Sequence, residues 1–150
     1  MTGLVHSVCV RVGGGVPKLP LGEAKVGAEG IEGDKPRGPR RAVIIYSLER
    51  IEGLREEGHP VAAPGSLGEN ILVEGLEWGS LAVGDRLRIG DALIELTSAT
   101  APCHVIADQF QDEDSGRIDH GLNPGWARWC AAVLEEAVVA PGDAVSLVLS

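Results

Sequence analysis

The sequence has no apolar run approaching the ~20 residues that a membrane-crossing helix needs. Its opening residues, Met1-Thr2-Gly3-Leu4-Val5-His6, hold no basic stretch leading into an apolar one, as a secretory leader would. The expectation is a cytoplasmic chain with no membrane partner. Cysteine is sparse: there are three, Cys9, Cys103 and Cys130, and no C-x-x-C. An odd, widely spaced set argues for neither a disulfide framework nor a structural zinc site, and it suits a reducing compartment. G-x-x-x-x-G-K-[ST], G-x-S-x-G and H-E-x-x-H are all absent, so the sequence offers no nucleotide P-loop, nucleophile elbow or zincin helix. His6 and His59 stand apart from any metal-ligand spacing, and no long internal repeat is visible.

Positive charge is also scarce. The formal net charge is −9, which argues against nucleic acid, because a phosphate backbone is bound chiefly through lysine and arginine. The basic residues are unevenly spread: none falls between Arg55 and Arg86, whereas Lys35, Arg37, Arg40 and Arg41 lie within seven positions. A local cationic patch on an acidic chain points to one anion site rather than to general stickiness. A solvated turn ahead of the next strand accounts for the same charges equally well.

The chain has 150 residues, 44% hydrophobic and 23% charged. It is long enough for one compact core and too short for two ordinary domains. Leu4, Val8, Val10 and Val12 alternate with Val5, Cys9 and Arg11, which predicts a strand with one buried face, ended by Gly13-Gly14-Gly15. Lys25 to Ala28 reads as an irregular strand, Ala42 to Tyr46 as a buried one, and Ser47 as the N-cap of a helix over Leu48 to Glu57. Ile71 to Val73 is a short strand. Arg86 to Ile89, Gly90-Asp91 and Ala92 to Leu96 form a hairpin with a two-residue turn. A short helix follows Cys103 to about Phe110, and Asp112 to Gly116 is a loop. Alanine and glutamate between Trp126 and Val139 suggest a helix, before a turn and strand over Pro141 to Val148. Many short strands and few helices favour a mainly β barrel or sandwich over a βαβ sheet.

Cys103 stands out among the cysteines. It follows the apolar run Leu93 to Thr97 behind Pro102, where a loop can expose its sulfur. A thiol acts as nucleophile or metal ligand only as thiolate, a form favoured by a nearby cation or a helix N-terminus. Cysteine's habit of burial argues the other way, for a packed residue at a strand end. Cys9 and Cys130 lie inside apolar segments and read as core. Upstream, Pro64-Gly65-Ser66-Leu67-Gly68-Glu69-Asn70 combines glycines, which let a backbone approach a ligand closely, with two polar side chains able to orient it.

Six segments in order carry a resemblance: Gly30-Ile31-Glu32-Gly33-Asp34, Arg40-Arg41-Ala42-Val43, Pro64 to Ile71, Val83 to Gly90, Pro102-Cys103-His104 and Pro141-Gly142-Asp143. Together they resemble the MOSC domain, found at the C-terminus of molybdenum cofactor sulfurases and as stand-alone bacterial proteins. The resemblance runs over nearly the whole chain and implies a single domain over residues 1–150, mainly β with a few short helices around a MOSC-like β-barrel. It also implies a pocket for the molybdenum cofactor (molybdopterin) or a related sulfur-bearing species. Carried onto this sequence, the motif cysteine is Cys103, as metal ligand or as sulfur carrier. Asp34, Lys35, Arg37, Arg40, Arg41, Gly68, Glu69, Asn70 and His104 become the candidates for holding the cofactor, with the arginines gripping its phosphate.

Two features set the chain apart from that pattern. Pro36 stands where many stand-alone members carry a histidine, and no second cysteine follows Pro102-Cys103-His104. The chain also lacks the aminotransferase-like domain of the full sulfurases, so it is not expected to extract sulfur from cysteine itself. Three functions compete: a cofactor-associated protein that binds the cofactor or passes sulfur through Cys103, a molybdenum-dependent reductase component acting on N-hydroxylated compounds, and a non-catalytic binding module. The partner would be a sulfur donor, a molybdoenzyme or a redox protein.

Overall fold

The computed structural model describes residues 1–61 and 63–149. In chain order the elements are β1 (Thr2–Val10), β2 (Leu19–Leu21), β3 (Ala24–Gly27), β4 (Gly30–Ile31), β5 (Val43–Ser47), α1 (Leu48–Glu56), β6 (Ile71–Glu74), β7 (Arg86–Ile89), β8 (Ala92–Thr100), β9 (Arg128–Glu135), β10 (Ala137–Val139) and β11 (Ala144–Val148). Short 3-10 turns fill the longer connections, among them Pro39–Arg41 and His104–Gln109.

The main sheet runs β11-β7-β8-β9-β5-β6-β1-β2, and β11 also pairs with β1. That last pairing closes seven strands into a barrel, with β2 as a flap outside the ring. Closure satisfies the edge N–H and C=O groups that an open sheet would leave unpaired. A second small sheet, β10-β3-β4, packs at one side. All ring pairings are antiparallel except β5 with β6, which needs a crossover, and α1 lies in that connection. Inside the ring, Val5, Ile45, Ile71, Val73, Leu87, Ile89, Ile94 and Val145 are sealed from solvent. Each such side chain contributes about 1.5–3 kcal/mol by leaving water.

Local chemistry explains the elements that the sequence identifies most clearly. The Ser47 hydroxyl accepts from the Arg50 amide and starts α1, Ile51 and Leu54 face the core three residues apart, and Gly58 at φ 94° ends the helix. Ile89 pairs with Ala92 across Gly90-Asp91, the expected two-residue hairpin.

Two expectations are corrected. The segment from Trp126 to Val139 contains no helix: it holds β9 and β10, and β9 is hydrogen-bonded to β8 on one side and β5 on the other. Two ladders outweigh the modest helix preference of alanine and glutamate. In β1 the burial does not follow the simple alternation. Val5, Ser7, Val8, Cys9 and Val10 are buried while Leu4 and Val12 are exposed, because a bulge between Val5 and Ser7 shifts the register and β2 covers the far end.

Candidate functional site

The connection before β6 is an unusual loop, because Gly65 through Asn70 are all buried. Gly65 explains how it fits. At φ 89° it adopts a conformation that suits glycine, and a Cβ there would sit 2.1 Å from the Lys18 carbonyl oxygen. The Lys18 amide donates to the Gly65 carbonyl at 2.9 Å, so the loop is stitched to the chain leading into β2. Glu69 then holds the loop from within. Its carboxylate accepts from the Gly65 amide at 2.9 Å and the Leu67 amide at 3.2 Å. Burial pushes the Glu69 pKa up, and those two amides pull against the rise.

Asn70 ties the loop to three other segments. Its Oδ1 accepts from Arg37 Nη2 and the Ile44 amide, both at 2.9 Å, while its Nδ2 donates to the Cys9 carbonyl and to Asp34 Oδ2. Asp34 in turn accepts from Lys18 Nζ at 2.8 Å, Arg37 Nη1 at 3.2 Å and the Arg11 amide at 2.8 Å. Burial alone would raise the Asp34 pKa, but Lys18, the Arg11 amide and Asn70 outweigh it and hold the carboxyl below its ordinary value. Burial lowers the pKa of Lys18, and the bond to Asp34 resists that fall.

On the other side, β9 supplies Arg128, which pairs directly across from Thr100 at the end of β8. Only 3% of Arg128 is exposed. Its Nη1 donates to the Leu67 carbonyl at 2.6 Å and its Nη2 to the Ala101 carbonyl at 3.1 Å. Burial lowers its pKa, and the charge of Glu69 opposes the fall. One guanidinium therefore joins the glycine-rich loop to the strand end that carries Cys103. Cys103 itself is exposed, on extended backbone just ahead of the His104–Gln109 turn. Cys9 and Cys130 are buried, and burial, with the nearby Glu69 charge, pushes the Cys9 thiol up to about 11.

These elements enclose a cavity of about 390 Å³ whose wall includes Lys18, Arg37, Arg41, Gly68, Cys103 and Arg128. Four cations therefore share one cavity on a chain of net charge −9. The lining also includes the apolar residues Val16, Ile44, Leu67, Val105 and Ile106.

Of the residues singled out from the sequence, Arg37, Arg41, Gly68 and Cys103 meet at this cavity. Asp34, Glu69 and Asn70 lie behind it, their polar atoms committed to the protein itself. Lys35, Arg40 and His104 are exposed and outside the lining. The aliphatic stem of Lys35 lies against Gly14, and the Arg40 carbonyl accepts from the Thr97 hydroxyl. Sequence reasoning missed Lys18 and Arg128. Arg128 carried a signal: it is the one charge inside Trp126-Ala127-Arg128-Trp129-Cys130-Ala131, a place where only a paired or functional cation belongs.

The sequence model of the MOSC domain matches residues 32–146, which include Asp34, the glycine-rich loop, Cys103 and Arg128. The chain belongs to the MOSC domain family. Protein YiiM of Escherichia coli is 28% identical over 137 residues, covering 85% of this MOSC chain and 60% of YiiM. YflK of Bacillus subtilis is 27% identical over 110 residues, covering 73% of this chain and 49% of YflK. The chain thus spans about half to three-fifths of the length of these curated relatives. Among solved structures, E. coli YiiM superposes with a TM-score of 0.70 at 27% identity, over 97% of this chain and 70% of that one. YuaD of B. subtilis has a TM-score of 0.79 at 19% identity, over 97% and 94% of the two chains, a likeness of fold. The MOSC fold here is the β-barrel expected from the sequence, consistent with a molybdenum-cofactor-associated role in general.

Proposed function

We propose that the Cys103 cavity is a binding site for the molybdenum cofactor, in which the Cys103 thiolate would be the protein's ligand to the metal. The observation that carries this reading is the meeting of one exposed thiol with four cationic side chains in a single cavity. The residues fit the group. Among the described residues no three His, Cys, Asp or Glu side chains cluster to hold a bare metal ion, so a metal here suits delivery within an organic ligand, with Cys103 as one added donor. Thiolate is a soft ligand, and an anionic phosphate tail is matched by Lys18, Arg37 and Arg41. The apolar lining residues Val16, Ile44, Leu67, Val105 and Ile106 suit the pterin ring.

When bound, the cofactor would supply metal-centred redox or sulfur chemistry. The chain's own residues bind and orient. Asp34 and Asn70 fix the Arg37 guanidinium by two hydrogen bonds, so its direction is set before a ligand arrives. Glu69 keeps the loop closed against Lys18, which holds the cavity wall in place.

The test is metal and pterin content of protein purified from a cofactor-making host, for wild type and Cys103→Ser. Wild type should carry molybdenum and pterin in equal amounts, and the variant should lose the metal while keeping its circular dichroism spectrum. Iodoacetamide labelling mapped by peptide mass should modify Cys103 at least tenfold faster than Cys9 or Cys130, which are buried. Full loading of the Ser variant would defeat the assigned role of Cys103. A mass gain of one sulfur atom on Cys103, without molybdenum, would favour sulfur carriage instead.

A further inference from the structure

The chain between β8 and β9 carries Cys103 near its start and continues as a series of short turns. The Ile106 amide donates to the Cys103 carbonyl at 3.3 Å, the Phe110 amide to Ala107 at 3.0 Å and the Glu113 amide to Phe110 at 3.2 Å, so each turn leans on the one before it. Val105 and Ile106, from the first turn, line the Cys103 cavity. An anchor of the far end is His59, just past α1, whose own amide is tied to the Leu54 carbonyl at 3.0 Å. Its ring packs edge-on against buried Phe110, with centroids 5.2 Å apart, and its Nδ1 accepts from the Gln111 amide at 3.2 Å. The next two residues, Asp112 and Glu113, lie at φ 55° and 57°, the only non-glycine residues with positive φ among those described. A left-handed backbone costs energy wherever a Cβ is present, so His59 holds a turn that is under strain.

An amide can offer only a proton, so Nδ1 presents its lone pair and the ring is the neutral Nε2–H tautomer. An imidazolium carries a proton on both nitrogens and cannot accept, so the Gln111 bond exists only while the ring is neutral. We infer that His59 is a proton-operated latch on the segment that carries Cys103: the neutral ring holds the turn at Gln111 closed, and protonation releases that turn and loosens the part of the Cys103 cavity formed by Val105 and Ile106. The charged groups around the ring do not restore the lost bond. Glu57 Oε1 stands 3.7 Å from the other ring nitrogen, Nε2, and both Glu57 oxygens already accept from Arg117, at 2.8 and 2.9 Å. Asp112, Asp114 and Arg117 line a second cavity with His59, of about 410 Å³. A protonated ring is drawn to those carboxylates and away from an amide that now meets it donor to donor. The side chain is 13% exposed, which gives protons a path to it from water. The latch does not depend on what fills the Cys103 cavity.

The experiment is amide hydrogen exchange on the full chain at about pH 7.5 and about pH 5.5, on either side of the range in which imidazole ordinarily changes charge, with rates corrected for the intrinsic effect of pH. Two variants bracket the latch. His59→Asn keeps a side-chain acceptor near the Nδ1 position that does not titrate, whereas His59→Phe keeps a ring against Phe110 and removes the acceptor. In wild type, protection of the Gln111 and Ile106 amides should fall about threefold to tenfold on acidification, the scale of one hydrogen bond. The Gly84 amide, bonded to the Leu96 carbonyl, should not change. His59→Asn should keep its protection at both pH values, and His59→Phe should lack it at both. Gln111 protection that ignores pH overturns the inference. So does a His59→Asn protein that loosens on acidification as wild type does, because another group would then be titrating. A fall at Gln111 with Ile106 unchanged would confine the release to the outer turn and overturn the link to the Cys103 cavity. If His59→Phe fails to fold, wild type and His59→Asn still decide. None of these measurements involves molybdenum or pterin, so failure of the latch leaves the cofactor reading standing, and a protein that never acquires cofactor leaves the latch standing.

Discussion

Asp34 with Lys18 and Arg37, beneath the Cys103 cavity, and Glu135 with Arg88, on the outer wall of the barrel, are the same chemical pairing in two environments. Asp34 and Lys18 are each 3% exposed in their side chains, whereas Arg88 and Glu135 are 38% and 56% exposed. The outer pair is well formed, with two contacts of 3.0 and 3.3 Å, yet water can replace either partner at little cost. Lys18 and Asp34 have almost no water to fall back on, so each holds the other in place beside half-buried Arg37, and Asn70 fills the remaining positions between them. Geometry of contact does not separate the two regions; access of solvent does. The inner network gives the cavity wall fixed cations, which is what ligand binding needs.

The largest effect should come from removing the inner anion. Asp34→Asn leaves Lys18 buried beside a neutral amide and should cost about 3–5 kcal/mol in urea unfolding. A loss under 1 kcal/mol would mean that water reaches this network, and the contrast with the surface would collapse. Asn70→Ala should follow at about 2–4 kcal/mol, because it strips partners from Arg37, the Ile44 amide, the Cys9 carbonyl and Asp34 together. It should also lower the molybdenum and pterin content, since Arg37 loses one of its two anchors.

A smaller signal lies in the pH dependence. The folded Asp34 carboxyl binds its proton less readily than its ordinary value of 3.8 implies. Its contribution to stability is therefore complete above that value and disappears as pH falls through the lowered folded pKa. Acid unfolding followed by circular dichroism should be flatter below about pH 4 in Asp34→Asn than in wild type. Parallel curves would show that Asp34 is not held in its charged form by the fold. Least of all should happen at the outer wall: Glu135→Gln should leave the urea midpoint unchanged within error, and a clear drop there would place real stability in a surface pair.

Much of the barrel was legible because its signals are local. Ser47 caps α1 with its own hydroxyl, and Gly90-Asp91 turns a hairpin between two apolar runs, so neighbouring residues suffice. The Trp126 to Val139 segment was misread for the opposite reason. Its strand state depends on ladders to β5 and β8, whose residues lie about 30 to 90 positions away. The site divides in the same way. Cys103 could be picked out by Pro102 and the strand before it, and the Arg37 to Arg41 cluster by its charge. Lys18 carries no local mark of its own, and its role exists only because the Gly65 loop folds back onto it.

By itself, then, the sequence determined the mainly β class, the family pattern over six ordered segments and the prominence of Cys103, because alternation, turn chemistry and motif order are written in consecutive residues. Tertiary structure decided which candidates face the cavity. It set Asp34, Glu69 and Asn70 behind the wall as supports, left Lys35, Arg40 and His104 outside, and brought in Lys18 and Arg128. The physical reason is burial: a polar group withdrawn from water must find a partner wherever the fold supplies one, and that partner is seldom close in the chain.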